Sequence, residues 1–431
     1  MSEPFMLSVE PVPAEPTAGA DRTFFWNGTG SHPWFVSTVG PNLGAFGEVN
    51  DRNIDFVRIA SAVLSADRSV SRSGRLASWN KRDIAVVVDV LSVDPWDSVR
   101  GELQELLGFL TGDTWHLGFR EQRGTPEQIA IHAAGASRVV LFSGGGDSGV
   151  GALLSAHELH GTAKHTLVSH FSDKYLPPLQ RCLAERTDTL YPGTLADHIQ
   201  VHHSRGRKTV NGNYYRKENS TRSRSLLFLA FGLAVASVDQ LPLWIPENGY
   251  ASINPPLSPN RRGSLSTKTT HPTFLLGVRN ILTKVGAHGD LSNPFADRTK
   301  GEMFSEVRDL IGEQAASEYL SATTSCSHTG AKTYGISRRA QCGVCFGCLL
   351  RKASFISSGI PDRSEYICPK DDARVADWLA SKSVESAMRD FLRTDLQESD
   401  LATMRLPNTV RLADAAALCN RAMDELRGLA L

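Results

Sequence analysis

Neither sign of charge is in excess in this chain: 46 Lys and Arg residues stand against 46 Asp and Glu residues among 431. That balance excludes the broad positive field with which a protein recruits nucleic acid or an anionic membrane. Long apolar runs are missing too. The longest, residues 226–238, is too short to span a bilayer and reads as a buried helix. Residues 1–20 carry proline and acidic side chains but neither a basic start nor an apolar stretch. No secretion signal is therefore expected, and the protein is expected in the cytoplasm, off the membrane. Cysteine is scarce: seven residues are too few for a disulfide framework, and four of them fall between 326 and 348. Internal repeats and low-complexity tracts are absent. So is one common nucleotide signature: no G-x-x-x-x-G-K-[ST] places a lysine on β- and γ-phosphates.

What is present is a different glycine loop. Residues 138–148 read Arg-Val-Val-Leu-Phe-Ser-Gly-Gly-Gly-Asp-Ser. The β-branched run 138–142 predicts a buried strand. Residues 149–159, with Val150, Leu153, Leu154 and Leu159 apolar, predict a helix. Between them Gly144, Gly145 and Gly146 let backbone N–H groups converge on one anion, because no Cβ blocks approach or a positive φ. Ser143 and Ser148 add hydroxyl donors, and the helix N-terminus adds its partial positive charge. The segment is a candidate phosphate cradle.

Three textures divide the chain. Residues 23–120 mix candidate strands at 23–26, 34–39, 55–64, 83–91 and 114–119 with a helix through residue 110, for which Asp94 is the expected N-cap and Pro95 the first helical residue. No catalytic constellation stands out there, and the region reads as an accessory α+β domain, a docking or shielding surface. Residues 138–362 alternate strands (138–142, 165–170, 199–203, 241–246) with helices, the pattern of a parallel sheet. Ligands of such sheets sit beyond the C-terminal strand ends, which gathers 143–148, 169–173 and 247–252 around one crevice. A local basic stretch, His202 to Lys208, reads as a solvated loop or a phosphate contact. From residue 370 the pattern is helical, with amphipathic stretches at 373–392 and 410–429 and expected starts at Asp372 and Asn408. The expected fold class is α/β, a doubly wound, mainly parallel sheet. Its expected parts are a flexible 1–22, an accessory 23–125, a nucleotide-binding 126–365 and a helical 366–431.

Fifteen residues separate Cys326 from Cys342, and two separate each step on to Cys345 and Cys348. Four thiolates so spaced, with glycines that let the chain turn, suit a tetrahedral structural zinc ion, and a four-cysteine iron–sulfur centre needs the same ligand count. Four protein ligands leave no open position, so such a metal holds structure. Cys182, Cys368 and Cys419 are isolated.

The loop Ser143–Ser148 resembles the Ser-Gly-Gly-x-Asp-Ser pyrophosphate loop of the N-type ATP pyrophosphatases, which split ATP between the α- and β-phosphates. Loop and cysteines together, over about residues 138–362, resemble the 7-cyano-7-deazaguanine synthase family. That resemblance implies ATP, with Mg2+ as its counter-ion, held by Phe142, Ser143, Gly144, Gly145, Gly146, Asp147, Ser148 and Ser169. It implies zinc on Cys326, Cys342, Cys345 and Cys348. Arg224 falls on the arginine of the family's Gly-Arg-Asn helix start, where Ser225 replaces the asparagine, and Lys300 falls on a Thr-Lys-x-Glu helix start. With Asp147 and Ser148 these are the implied catalytic residues. The implied reaction adenylates the carboxylate of 7-carboxy-7-deazaguanine and then forms an amide, with substrate contacts falling on Asn248, Asn254 and His271. The chain departs from the family at 169–174, 247–256 and 258–272 and adds flanking regions. In this it looks more like the synthase-like proteins of antiphage defence operons of the Qat type and of type IV CBASS, for which the implied acceptor is the N-terminal amine of a partner protein. Three other readings stand beside it: the ammonia-using synthase itself, a tRNA-modifying pyrophosphatase, which the neutral charge counts against, and a silenced scaffold, which the intact Asp147–Ser148 pair counts against.

Overall fold

A computed structural model describes residues 4–10, 20–26, 35–37, 48–72, 81–123, 135–172, 175–209, 211–216, 218, 222–255, 268–326, 340–367 and 384–429. Two sheets organise it. The first runs in the order β2-β1-β4-β5 and is parallel throughout, built from β1 (Phe5–Ser8), β2 (Thr23–Phe25), β4 (Asp83–Val90) and β5 (Thr114–Glu121). The second runs β10-β9-β6-β7-β8-β3. It comprises β6 (Arg138–Leu141), β7 (His165–Phe171), β8 (Leu195–Arg205), β9 (Leu243–Trp244) and β10 (Leu291–Ser292), all parallel, with β3 (Phe35–Ser37) antiparallel on the β8 edge. Helices alternate with the strands in both, so the α/β class stands, and the accessory region is α/β where an α+β arrangement was expected.

Several elements differ from expectation. Residues 55–64, expected as a strand, lie inside the helix Asp51–Asp67, started by Asn50, whose side chain accepts from the Arg52 N–H at 2.9 Å. Its residues from Asn53 to Asp67 are all buried, because the helix lies between β1 and β4 on one side and the helix Arg224–Val238 on the other. A helix without a wet face has no amphipathic period to read. The first 22 residues, expected to be flexible, contain β1, a middle strand with Phe5 and Leu7 in the core. A run of four residues is too short to signal a strand by alternation. The helix expected through residue 110 is two, Val93–Ser98 and Arg100–Thr111. Ser92 is the N-cap of the first, so Asp94 and Pro95 sit within its first turn. In the C-terminal region Val384–Phe391 and Leu412–Arg427 are helical. The second starts at Arg411 rather than Asn408, and Asp372 and Cys368 lie outside the described residues.

Strand alternation divides the core of the second sheet. Val139, Leu141 and Val168 point to one face, packed with the helix Arg224–Val238. Val140 and Leu167 point to the other, packed with the helix Gly146–Leu159. The first face shares one continuous apolar cluster with the first sheet, including Phe24, Val57, Val86 and Leu107. The C-terminal helices form a third cluster with Tyr250 and Ile253. Among the described residues no helix is long and apolar enough to cross a membrane.

Candidate functional site

The glycine loop leaves β6 and enters the helix Gly146–Leu159, as the sequence predicts, with Gly145 as N-cap. Gly144 has φ +84°, and a Cβ there would lie 2.7 Å from Leu179 Cδ2, so only glycine fits. The two serines lock the turn. Ser143 Oγ and Ser148 Oγ are 3.0 Å apart, the Gly145 N–H donates to Ser143 Oγ at 3.2 Å, and Ser148 Oγ donates to the Gly145 carbonyl at 3.1 Å. The Gln180 amide holds the Ser143 carbonyl at 3.2 Å, and the Thr324 N–H holds the Gly144 carbonyl at 3.0 Å.

Asp147, in the first turn, faces three side chains from elsewhere. Lys300 Nζ donates to its Oδ2 at 2.6 Å, and Asn248 Nδ2 to its Oδ1 at 3.1 Å. Glu247 adjoins it, and the Asn248 amide lies 3.4 Å from Glu247 Oε1. Burial first, and the Asp147 charge second, push the Glu247 carboxyl up to about 8, while Lys300 works in the other direction. Glu247 is therefore largely protonated at neutral pH. Sequence reading placed 247–252 at the crevice, beyond a parallel strand end, but gave Glu247 no role of its own.

Lys300 is the first residue of the helix Lys300–Ile311, a helix start as the resemblance implies, and the helix carries a capping box. Thr299 Oγ1 accepts from the Glu302 N–H at 3.1 Å, and Glu302 accepts from the Thr299 N–H at 2.9 Å. The helix Leu412–Arg427 adds a second clamp. Glu425 accepts the Thr299 hydroxyl and, at 3.1 Å, the Gly301 N–H, and Arg421 pairs with Glu302 at 2.7 Å.

The other implied residues divide. Phe142 is buried at the end of β6 with its ring edge-on to His198. Ser169, expected at ATP, is fully buried with its hydroxyl bonded to the Phe142 carbonyl and to His198 Nε2 at 2.9 Å; it joins strands instead of facing a ligand. Asn248, expected at the substrate, caps the short helix Gly249–Ile253, its Oδ1 accepting from the Ala251 N–H at 2.9 Å, while its amide holds Asp147. His271 is fully buried as the N-cap of the helix Pro272–Val285 and accepts from the Thr273 N–H at 3.2 Å; burial pulls it down to about 4, so it is neutral. Asn254 ends its helix in the left-handed region at φ 49°. Arg224 opens the helix Arg224–Val238 on the other face of the sheet and is solvent-accessible.

The four predicted cysteines meet. The Sγ atoms of Cys326, Cys342, Cys345 and Cys348 all lie within 4.8 Å of one another, three of the residues buried. The Cys342 N–H points to Cys326 Sγ at 3.4 Å and the Cys345 N–H to Cys342 Sγ at 3.3 Å. Backbone donors aimed at sulfur favour the thiolate form, and the set fits a tetrahedral zinc ion. Gly343, at φ +79°, makes the turn. A Cβ on Gly347 would lie 2.3 Å from the Ser325 carbonyl.

No family model matches the chain. Over 146 residues, 34% of its length, it is 27% identical to a 7-cyano-7-deazaguanine synthase of Desulfatibacillum aliphaticivorans, and the match spans 55% of that protein, about half its length.

Proposed function

We propose that the protein activates a carboxylate with ATP, releasing pyrophosphate, and that the carboxylate is that of 7-carboxy-7-deazaguanine or a related 7-deazapurine. The observation that carries the reading is the serine-locked glycine cradle at the end of β6 with the Asp147–Lys300 pair 2.6 Å apart at its mouth. The similarity to a 7-cyano-7-deazaguanine synthase supports the substrate class.

In this reading Ser143, the three glycines and Ser148 cradle the β- and γ-phosphates with N–H and O–H donors. A carboxylate oxygen attacks the α-phosphorus, the bond to the bridging oxygen breaks, and pyrophosphate leaves with its charge. Lys300, and Arg224 from a helix start on the other face of the same sheet edge, offset that charge. Magnesium arriving with ATP would find its carboxylate oxygens on Asp147. Zinc on the four cysteines has no open position and holds the cradle's rear wall. The acyl adenylate then meets an amine: a new C–N bond forms, AMP leaves, and the amine proton passes to solvent or to a carboxylate. We place that amine at the N-terminus of a partner protein, in an antiphage defence system, because the chain carries flanking regions beyond the stretch similar to the synthase.

The test combines ATP and 7-carboxy-7-deazaguanine and follows pyrophosphate. Asp147→Asn is expected to lower release by about 100-fold or more. ADP and orthophosphate as products would refute cleavage at the α-phosphate. Intact mass of a co-expressed partner then decides the acceptor: a mass gain supports the protein amine, and free 7-cyano-7-deazaguanine formed with ammonium, with the partner unchanged, supports the synthase reaction.

A further inference from the structure

The basic stretch from His202 has no part in the chemistry above, yet it ends in a concentration of positive charge. Arg205, the last residue of β8, donates through Nη2 to the Arg68 carbonyl at 3.3 Å and through Nη1 to the Gly206 carbonyl at 2.9 Å, and its guanidinium lies 4.4 Å from the Tyr215 ring centre. Arg68 closes the helix Asp51–Asp67. The residue before it, Asp67, accepts both the N–H of Ser223 at 3.2 Å and its hydroxyl at 2.6 Å. Ser223 precedes Arg224, so this clasp sets Arg68 and Arg224 side by side. His170, near the end of β7, lies against the first turns of the same helix, 5.8 Å from Phe231 and 6.3 Å from Phe228 between ring centres. It is 9% exposed, and its Nε2 has no hydrogen-bond partner among the described residues.

The carboxylates around this point are already engaged. Asp67 bonds Arg82 and Ser223. Asp113 bonds Arg72 at 2.6 Å and Arg82 at 2.7 Å, and Glu218 accepts from the Arg72 N–H at 2.7 Å. No ion pair neutralises Arg68, Arg205 or Arg224 among the described residues. Burial holds the Arg68 and Arg205 guanidinium groups below their ordinary range, Arg205 at about 10, with the Arg68 charge adding to this at Arg205 and Asp67 opposing it at Arg68. Guanidinium groups gathered at one point with no ion pair of their own suit an oxyanion, whose geometry their planar forks match.

The group sits at the C-terminal ends of β7 and β8, the same sheet edge as the glycine cradle. It is on the opposite face, the one covered by the helices Asp51–Asp67 and Arg224–Val238. We infer that Arg68 and Arg205, extending the positive edge that Arg224 begins, form a second oxyanion subsite around His170, one that takes a phosphate or carboxylate group of the compound that meets ATP in the crevice. The N-terminal layer supplies Arg68 and, through Asp67, fixes its place.

Thermal shift and calorimetric titration of the full chain with inorganic phosphate and, separately, with malonate test this, against sodium chloride at equal ionic strength. Wild type is expected to gain stability with at least one probe, and the probe giving the larger shift identifies the group. Arg68→Gln is expected to leave the unliganded fold intact, because it breaks no hydrogen bond of the Arg68 side chain among the described residues. It should also weaken probe binding at least tenfold, as should Arg205→Gln. Asp147→Asn, at the cradle, should leave probe binding in place. Binding that survives Arg68→Gln but disappears in Asp147→Asn, or a shift equalled by chloride, would overturn the subsite. Probe binding needs no turnover, so failure of the carboxylate-activation reading would leave this result standing.

Discussion

Glu247 and Asp147 bring two carboxyl groups to one lysine, and the three cannot all be charged without a net negative remainder in a buried place. The structure resolves this by raising Glu247 to about 8. A carboxyl whose folded-state pKa lies above its unfolded value stabilises the fold fully below the unfolded value, and that contribution is lost as pH rises through the folded one. The window is therefore from about 4.5 to about 8. Glu247→Gln is expected to melt like wild type near pH 5 and higher than wild type, by on the order of a few degrees, near pH 9. Parallel melting curves across that range would show that Glu247 ionises freely. Asp147 and Lys300 were legible in the sequence because each sits in a motif. The place of Glu247 at the crevice was legible too, but not its pairing, because its neighbours in space come from the loop after β6 and from the start of a helix 53 residues further along the chain.

At the scale of elements, one contact tells most about the C-terminal region. Glu425 reaches from the helix Leu412–Arg427 to the first turn of the helix that presents Lys300, where N–H groups have no intrahelical acceptor. Glu425→Ala should destabilise the protein by about 1–2 kcal/mol, the loss of a cap and its hydrogen bonds. If Glu425 also positions Lys300, kcat for pyrophosphate release should fall while KM for ATP changes little, and Glu425→Gln, which keeps an acceptor oxygen, should recover part of the loss. A lower melting temperature with kcat unchanged would make the contact purely structural. The resemblance implies the helix start at Lys300 but not this second clamp, since nothing local at Glu425 marks it as a capping residue.

For the whole molecule, the cradle is supported from two directions. Behind it, Thr324 links the Gly144 carbonyl to the segment leading into Cys326, so the four-cysteine group and the glycine loop share a wall. One zinc per chain is expected by elemental analysis, and Cys345→Ser or chelation should lower melting temperature and pyrophosphate release together; a folded, active, zinc-free preparation would contradict this. On the other face, the first sheet and the helix Arg224–Val238 share one core, and Asp67 and Thr111 bond Ser223 and Arg222. Deleting residues 1–121 would expose the apolar face of that helix, so the remainder should fail to fold as a soluble monomer. Cooperative unfolding of that fragment by circular dichroism would show that the layers are independent.

By itself the sequence determined what depends on neighbours along the chain: the glycine turn between a strand and a helix, the helix start at Lys300, the cysteine spacing, and the parallel alternation of residues 138–246. Each is a local pattern whose geometry follows from backbone freedom or side-chain reach over a few residues. Tertiary structure decided what depends on enclosure. The helix Asp51–Asp67 is buried on every side, so its apolar run carries no helical period and reads as a strand. The strand Phe5–Ser8 holds its place through partners on both sides, not through propensity. Ser169 and His271 turned inward because a buried hydroxyl or imidazole must find its hydrogen bonds within the protein, while Asn248 divides its bonds between a helix cap and Asp147. The gathering of Arg68, Arg205 and Arg224 has the same origin, since packing one layer on another joined residues that are 156 positions apart along the chain.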